Sequence, residues 1–348
     1  MREFAYDRPT RLDQAVAMAA RDGAMVYAGG TTMLDLMKLG VYRPARVVDV
    51  TFLDAPAMRA ISVEGSRLRL GALVSMHEAA ENADVKRLAP VISESLWLAA
   101  SQQLRHMATL GGNVMQRTRD PYFRDPSWLE LTDAEPKEEV GDGAYGITPY
   151  GDGRLAAVRQ PTRLSAVLGT TQTDTASYPG DFAQSLAAFD TEVEIEGPRG
   201  ARTLSFRDLH ILPAEKRSED EFVRLAPGEI ITGFSVRLTP ALRRSIYIKA
   251  RDRESYAFAN ASAAVGLELD GDTVRDVRIG LGGVATVPWR SRNAENALRG
   301  KALTEESALA AGEAAFRNAV THEANAFKVP LGKQVIARAL LALKDMEG

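Results

Sequence analysis

Two glycine pairs, each set among small polar residues, carry the chemistry this sequence offers. The first lies in Val26-Tyr27-Ala28-Gly29-Gly30-Thr31-Thr32-Met33-Leu34. A short β-type run stops at Gly29-Gly30, and an apolar pattern of helical period starts at Met33. Glycines at a strand-to-helix corner bend the chain and admit a ligand closely, because no Cβ stands in the way. The N–H groups freed at such a corner form a concave anion site, which the helix N-terminus reinforces. Thr31 and Thr32 suit either capping of the helix or donation to a phosphate oxygen. Taken alone, the stretch equally suits an ordinary turn.

The second pair lies in Met107-Ala108-Thr109-Leu110-Gly111-Gly112-Asn113-Val114-Met115-Gln116. Asn113 offers an amide that can both donate and accept, and its donor suits a pyrophosphate or a flavin carbonyl. Alone, this stretch also suits a helix C-cap and turn. Two such stretches in one domain fit a ligand with two phosphates gripped from both sides.

The elements that must position them follow from periodicity. A helix is expected over about 12–21, then the corner and its helix, then a strand at Arg46–Val50. Strands near Ile61–Val63 and Leu68–Gly71 precede helices near 75–81 and 85–105. The longer helix carries an apolar stripe at Val85, Leu88, Ile92, Leu96 and Ala99. Gly169-Thr170-Thr171 forms a third glycine–threonine turn, and Tyr178-Pro179-Gly180 leads into a helix over 182–188, where Asp181 suits an N-cap. A strand at 192–196 and another introduced by Pro227-Gly228-Glu229-Ile230-Ile231 complete this part. Strands over 245–250, 259–269 and 274–282, with an Asp270-Gly271 hairpin turn, precede helices near 305–320 and 331–344. A sheet followed by helices indicates a separate α+β domain.

Composition narrows the function. The chain has 348 residues, with 45% hydrophobic and 26% charged, the balance of a globular protein of two or three domains. A net charge of −3 argues against a nucleic-acid partner. No run approaches the roughly 18 apolar residues of a membrane span, and the N-terminus lacks the apolar core of a signal peptide. A cytoplasmic location is expected; a periplasmic one also fits if a signal-bearing partner exports the folded complex. There is no cysteine, which excludes disulfides, cysteine-ligated metal and iron–sulfur sites, and thiol catalysis in this chain.

Other motifs fail on context. Gly141-Asp-Gly143-Ala-Tyr-Gly146 sits in a polar loop with no strand before it, and Gly280-Leu-Gly282-Gly283-Val-Ala285 runs into Pro288 with no helix after it. A dinucleotide fingerprint needs strand, turn and helix in that order. His77 and His106 read as ordinary helix residues, and only His322 has an adjacent acid. No nucleophile elbow is present. Lys249 and Arg251 stand in a strand-like segment, where solvation is the ordinary expectation.

Together, Ala28-Gly29-Gly30-Thr31-Thr32 and Thr109-Leu110-Gly111-Gly112-Asn113 resemble the flavin subunit of the molybdenum hydroxylases, the xanthine dehydrogenase and carbon monoxide dehydrogenase medium-chain family. The resemblance spans nearly the whole chain and includes Tyr247-Ile248-Lys249-Ala250-Arg251-Asp252-Arg253-Glu254-Ser255-Tyr256. Leu34-Asp35-Leu36-Met37-Lys38 and Gln116-Arg117-Thr118-Arg119 bring it nearest the aldehyde oxidoreductase medium subunit. It implies an α+β fold: a two-part FAD-binding domain of the vanillyl-alcohol oxidase/carbon monoxide dehydrogenase flavoprotein type, followed by a C-terminal α+β domain. The boundaries expected are 1–60 and 61–240 for the two FAD-binding parts, with a polar insertion at about 120–168, and 241–348 for the C-terminal domain.

The resemblance also implies FAD as cofactor, held by residues 26–34, Thr109, Gly111, Gly112, Asn113, Gln116 and Gly169. Asp181 would meet the ribose, Ile231 would touch FAD through its backbone, and Lys249 would lie near the isoalloxazine ring. It implies a molybdopterin-binding large subunit and a [2Fe–2S] small subunit as partners, in a heterotrimer or its dimer. Substrate oxidation would occur on the large subunit, and this chain would pass electrons to an external acceptor. In the resembled branch the insertion carries cluster-binding cysteines; here Asp120-Pro121-Tyr122 stands at that place, so no cluster is expected. Two other roles stay compatible with the residues: a structural bridging subunit that has lost electron transfer, and a stand-alone flavin oxidase.

Overall fold

The computed structural model describes residues 1–125, 147–149, 155–157, 161–218 and 221–346. Most of the polar insertion, including Gly141–Gly146, lies outside them. The first sheet is parallel, in the order β1 (Ala5–Asp7), β3 (Arg46–Asp49), β2 (Ala24–Tyr27). Parallel strands need crossovers, and α1 (Leu12–Ala19) and α2 (Met33–Leu39) supply them. Helix α1 buries Ala15, Val16 and Ala19, one face of a 3.6-residue repeat.

A second sheet is antiparallel throughout. It is built from β4 (Ile61–Glu64) and β5 (Arg67–Gly71), then β8 (Glu192–Gly197), β9 (Gly200–Ser205) and β10 (Ile230–Arg237), in the order β4-β5-β10-β8-β9. The short strands β6 (Ile147–Pro149) and β7 (Leu155–Ala157) pair only with each other.

Between β5 and the insertion run five short helices: α3 (Met76–Glu81), α4 (Ala83–Leu88), α5 (Pro90–Trp97), α6 (Gln102–Met107) and α7 (Leu110–Val114). The single helix expected over 85–105 is therefore three. Pro90 has no N–H to continue α4 and instead opens α5. Ala100 adopts φ 51°, a left-handed conformation that separates α5 from α6. The stripe survives the breaks, since Val85, Leu88, Ile92, Leu96 and Ala99 are all buried.

Helix α8 (Asp181–Ala188) packs against the third sheet, which runs β11 (Ser245–Ala250), β12 (Ala261–Asp270), β13 (Thr273–Gly282), β14 (Trp289–Arg290). Strand β13 gives way to β14 and not to a helix, so Gly280–Ala285 has no dinucleotide-binding context. Helices α9 (Arg292–Leu298), α10 (Glu305–Ala315) and α11 (Lys328–Asp345) cover this sheet. Among the described residues no helix is long and apolar enough to cross a membrane.

Two large apolar cores result. One joins Ala15 and Val48 of the first sheet's layer to Leu70, Leu110, Phe182 and Phe234. The other gathers Val265, Ile279, Ala311 and Leu340 around the third sheet, together with Val167 and Leu168 from the segment before α8. Both of those amides donate to the Val284 carbonyl, at 2.8 and 3.0 Å.

Candidate functional site

The two glycine stretches meet backbone to backbone. A Cβ on Gly29 would overlap the carbonyl oxygen of Met107 and lie 2.9 Å from Ala108 Cα. Gly30 turns the chain with φ +71°, and a Cβ there would come within 2.6 Å of the Tyr27 ring. Among the described residues, the amides of Gly29, Gly30, Thr31 and Thr32 donate to no protein acceptor. Thr32 precedes α2 with a helical backbone and its hydroxyl oxygen accepts no capping bond from the helix.

The second stretch is not a C-cap and turn. Thr109 opens α7: its Oγ1 accepts from the Gly112 amide at 3.2 Å, and Gly111 and Gly112 lie inside the helix. Gly111 donates to the Ala72 carbonyl at 2.9 Å, which ties α7 to the end of β5. Asn113 donates to Met76 Sδ at 3.4 Å, and its buried Oδ1 has no partner among the described residues.

A cavity of about 740 Å³ opens on one side of this junction. Val26, Gly30, Thr31, Thr32 and Met33 form one wall, while Thr109, Gly111, Gly112 and Ile231 form the other. A second cavity of about 650 Å³ lies on the opposite side, where Tyr27 and Leu34 meet Tyr6, Asp49, Phe52 and His106. Ala28, Gly29 and Thr109 border both cavities, so the glycine corner is the partition between them. The larger cavity is closed by Phe222, Ala226, Pro227 and Gly228, of which the first two carried no motif. The only hint was the Pro-Gly dipeptide, which marks a turn but says nothing of where the turn lands.

The remaining expected residues lie elsewhere. Gln116 is buried near Tyr178, whose hydroxyl is held well above its usual pKa by burial. Tyr178 donates to the Val114 carbonyl at 2.9 Å, and His210 Nε2 meets the same oxygen at 3.2 Å. Burial drives the His210 pKa down to about 4, so the ring is neutral and Nε2–H is the donor. Gly169 sits in a turn whose carbonyl accepts from Thr286 Oγ1 at 2.9 Å.

Asp181 does not cap α8, and Lys249 is not solvated. The two pair at 2.7 Å with side chains 5% and 1% exposed. Tyr247 donates to Asp181 at 2.5 Å, Gln184 donates to Tyr247 and Ser262, and Lys249 also donates to the Leu98 carbonyl. The expectation of a solvated lysine fails because β11 packs between α5 and α11, which leaves its side chain a buried carboxylate and the Leu98 carbonyl to face. Neither residue borders the two cavities. Among the described residues no group of three His, Cys, Asp or Glu could hold a metal ion.

Residues 2–237 match the family described as the FAD binding domain in molybdopterin dehydrogenase. The chain belongs to this family of FAD-binding oxidoreductase subunits. Residues 246–343 match the CO dehydrogenase flavoprotein C-terminal domain. The chain is 35% identical to the aldehyde oxidoreductase FAD-binding subunit PaoB of Escherichia coli K12, over 98% of each. It is 24% identical to the carbon monoxide dehydrogenase medium chain of Hydrogenophaga pseudoflava, over 97% of this chain and 96% of that one.

The structure of carbon monoxide dehydrogenase from H. pseudoflava superposes with a TM-score of 0.72 at 23% identity, covering 99% and 98% of the two chains. That of quinoline 2-oxidoreductase from Pseudomonas putida 86 gives 0.71 at 20%, covering 98% and 97%. The fold is thus the two-part FAD-binding architecture with its C-terminal α+β domain, as the resemblance implied. The site of this FAD-binding subunit suits its cofactor: the cradle at Gly29 and Gly30 would be filled by any side chain and its amides are free, whereas Asn113 borders neither cavity.

Proposed function

We propose that this subunit carries FAD at the glycine corner and passes electrons from a [2Fe–2S] partner subunit to an external acceptor. In this reading the complex oxidises an aldehyde or a heterocycle on a molybdopterin-binding large subunit. The observation that carries the reading is the contact of Gly29 with Met107, which sets four free amides beside a cavity of about 740 Å³. When bound, FAD supplies redox chemistry that takes electrons singly and gives them up singly or in pairs.

The chain's own residues bind and orient. The amides of Gly29, Gly30, Thr31 and Thr32 and the Thr31 and Thr32 hydroxyls would face the phosphates. Thr109, Gly111 and Gly112 would approach from the other wall, and Met33 and Ile231 would keep water from an apolar stretch of it. No residue of the chain acts as acid or base in this scheme. Similarity to PaoB supports aldehyde oxidation, since that protein is named as an aldehyde oxidoreductase subunit.

The test is an absorption spectrum of the purified complex, with the released cofactor identified after denaturation. A flavin spectrum and free FAD are expected. A colourless chain that still assembles with its partners would instead mark a purely structural subunit.

A further inference from the structure

Beside the corner, on the side of Thr32, three arginines gather from the segment that follows the second glycine stretch. Arg119 Nη2 reaches Thr32 Oγ1 at 3.5 Å. Arg119 and Arg124 share one carboxylate, Asp35 of α2, at 3.6 and 2.9 Å. Arg117 lies over the rings of Phe123 and Phe222 at 4.4 and 4.2 Å, and Arg119 over Phe258 at 5.1 Å. Asp120 Oδ1 accepts from the amides of Tyr122 and Phe123.

Two guanidinium groups on one bridging carboxylate leave positive charge over. The hydrogen bonds show the same excess: Arg119 Nε and Arg124 Nη1 are buried with no acceptor among the described residues. Buried donors are rarely left unmet in a native fold. The Arg119 pKa is pushed down first by burial and then by Arg124, and only partly held up by Asp35 and Tyr256. An anion is what this corner lacks, and the four free amides a residue away lack the same thing.

We propose that Arg119, braced by Asp35 and Arg124, is a positioning residue for a phosphate of the dinucleotide held at the glycine corner. The proposal rests on the reading that FAD binds there, and goes beyond it in assigning a charge from outside the two glycine stretches. Thr32 is the link. A hydroxyl has one proton to give; with its oxygen occupied by Arg119, that proton is aimed away from the arginine and toward the cavity that Thr32 borders. The guanidinium meanwhile adds positive charge at a partly exposed site, its side chain 23% exposed, where dissolved salt still screens it. Aspartate at position 35 keeps the side chain in place without neutralising the pair.

The test is titration of the flavin-depleted full chain with FAD at low and at high potassium chloride. Arg119→Met is expected to weaken binding at least tenfold at low salt, with the gap narrowing as salt rises. Arg119→Lys, which keeps the charge, is expected to recover most of the loss. Thr32→Val is expected to weaken binding too, and Arg119→Met is expected to cost less in the Thr32→Val background than alone. Equal affinity of Arg119→Met and wild type overturns the proposal, as does a loss of the same size at every salt concentration. If Arg119→Met does not fold, the same cycle is run with Arg119→Gln, which also removes the charge, and Thr32→Val, and strict additivity overturns the link through Thr32. A wild-type chain that takes up no FAD overturns the underlying reading, and this proposal with it.

Discussion

The carbonyl oxygen of Met107 occupies the place where a side chain on Gly29 would begin. Backbone at that distance cannot step aside as a flexible side chain can. Gly29→Ala is therefore expected to push the two stretches apart, to cost roughly 1–3 kcal/mol or more as overpacking does, and to strip the chain of most of its flavin. Gly112→Ala is the control: its Cβ would meet only Thr109 Oγ1, at 3.0 Å. The helical preference of alanine, about 1 kcal/mol over glycine, offsets that contact, and a melting temperature within a few degrees of wild type is expected. Thermal melts of the two variants, and the flavin content of Gly29→Ala against wild type, check the prediction.

The Lys249–Asp181 pair predicts a large loss from a single truncation. Removing one partner leaves the other charged and buried, at a cost of about 3–5 kcal/mol. Lys249→Met is expected to lower the denaturation midpoint accordingly, while the double variant Lys249→Met/Asp181→Leu is expected to regain part of the loss. Urea unfolding of the three proteins checks this; a Lys249→Met protein as stable as wild type contradicts the pairing.

His210 and Lys328 each make stability rise with pH, over separate ranges. His210 has a folded pKa of about 4 against 6.5 unfolded, so the unfolded chain takes up a proton first as pH falls. Stability is whole above 6.5 and is lost between 6.5 and 4, by about 2–3 kcal/mol at pH 4.5. His210→Gln, which keeps a donor for Val114 and does not titrate, is expected to flatten that limb.

Lys328 acts at high pH. Its ammonium donates to the carbonyls of Leu164 and Gly283 at 3.2 and 2.6 Å, and burial lowers its pKa from 10.5 to about 8. The fold sheds this proton before the unfolded chain does, so the unfolded chain holds more protons between pH 8 and 10.5 and stability rises across that range, by about 3 kcal/mol at most. Chemical denaturation at pH 7, 9 and 10.5 checks it, with Lys328→Met expected to abolish most of the slope.

How much was legible differed by kind of constraint. Gly29, Gly30, Thr31 and Thr32 stood out because a close backbone approach and a left-handed turn can be met by few residue types. The strand β13 and the helices α10 and α11 followed from periodicity, which local sequence carries. The apolar stripe over 85–99 was right about burial and wrong about continuity: the 3.6-residue repeat persists across Pro90 because each short helix faces the same core. Asp181 and Lys249 could not be paired in advance, being 68 residues apart on separate elements. Nor does Arg119, among ordinary surface-type residues, announce that it folds back on Thr32.

Val167 and Leu168 give the chain a stitched topology. They sit in the core of the C-terminal lobe, yet they come before α8, which lies in the core of the flavin lobe. The polypeptide thus visits the far lobe, returns, and only then goes back to build it. During synthesis those two residues leave the ribosome long before β12 and β13 exist to receive them, and must wait exposed. A cut near residue 240 would therefore leave a thread of the C-terminal lobe, Val167 and Leu168, attached to the other piece.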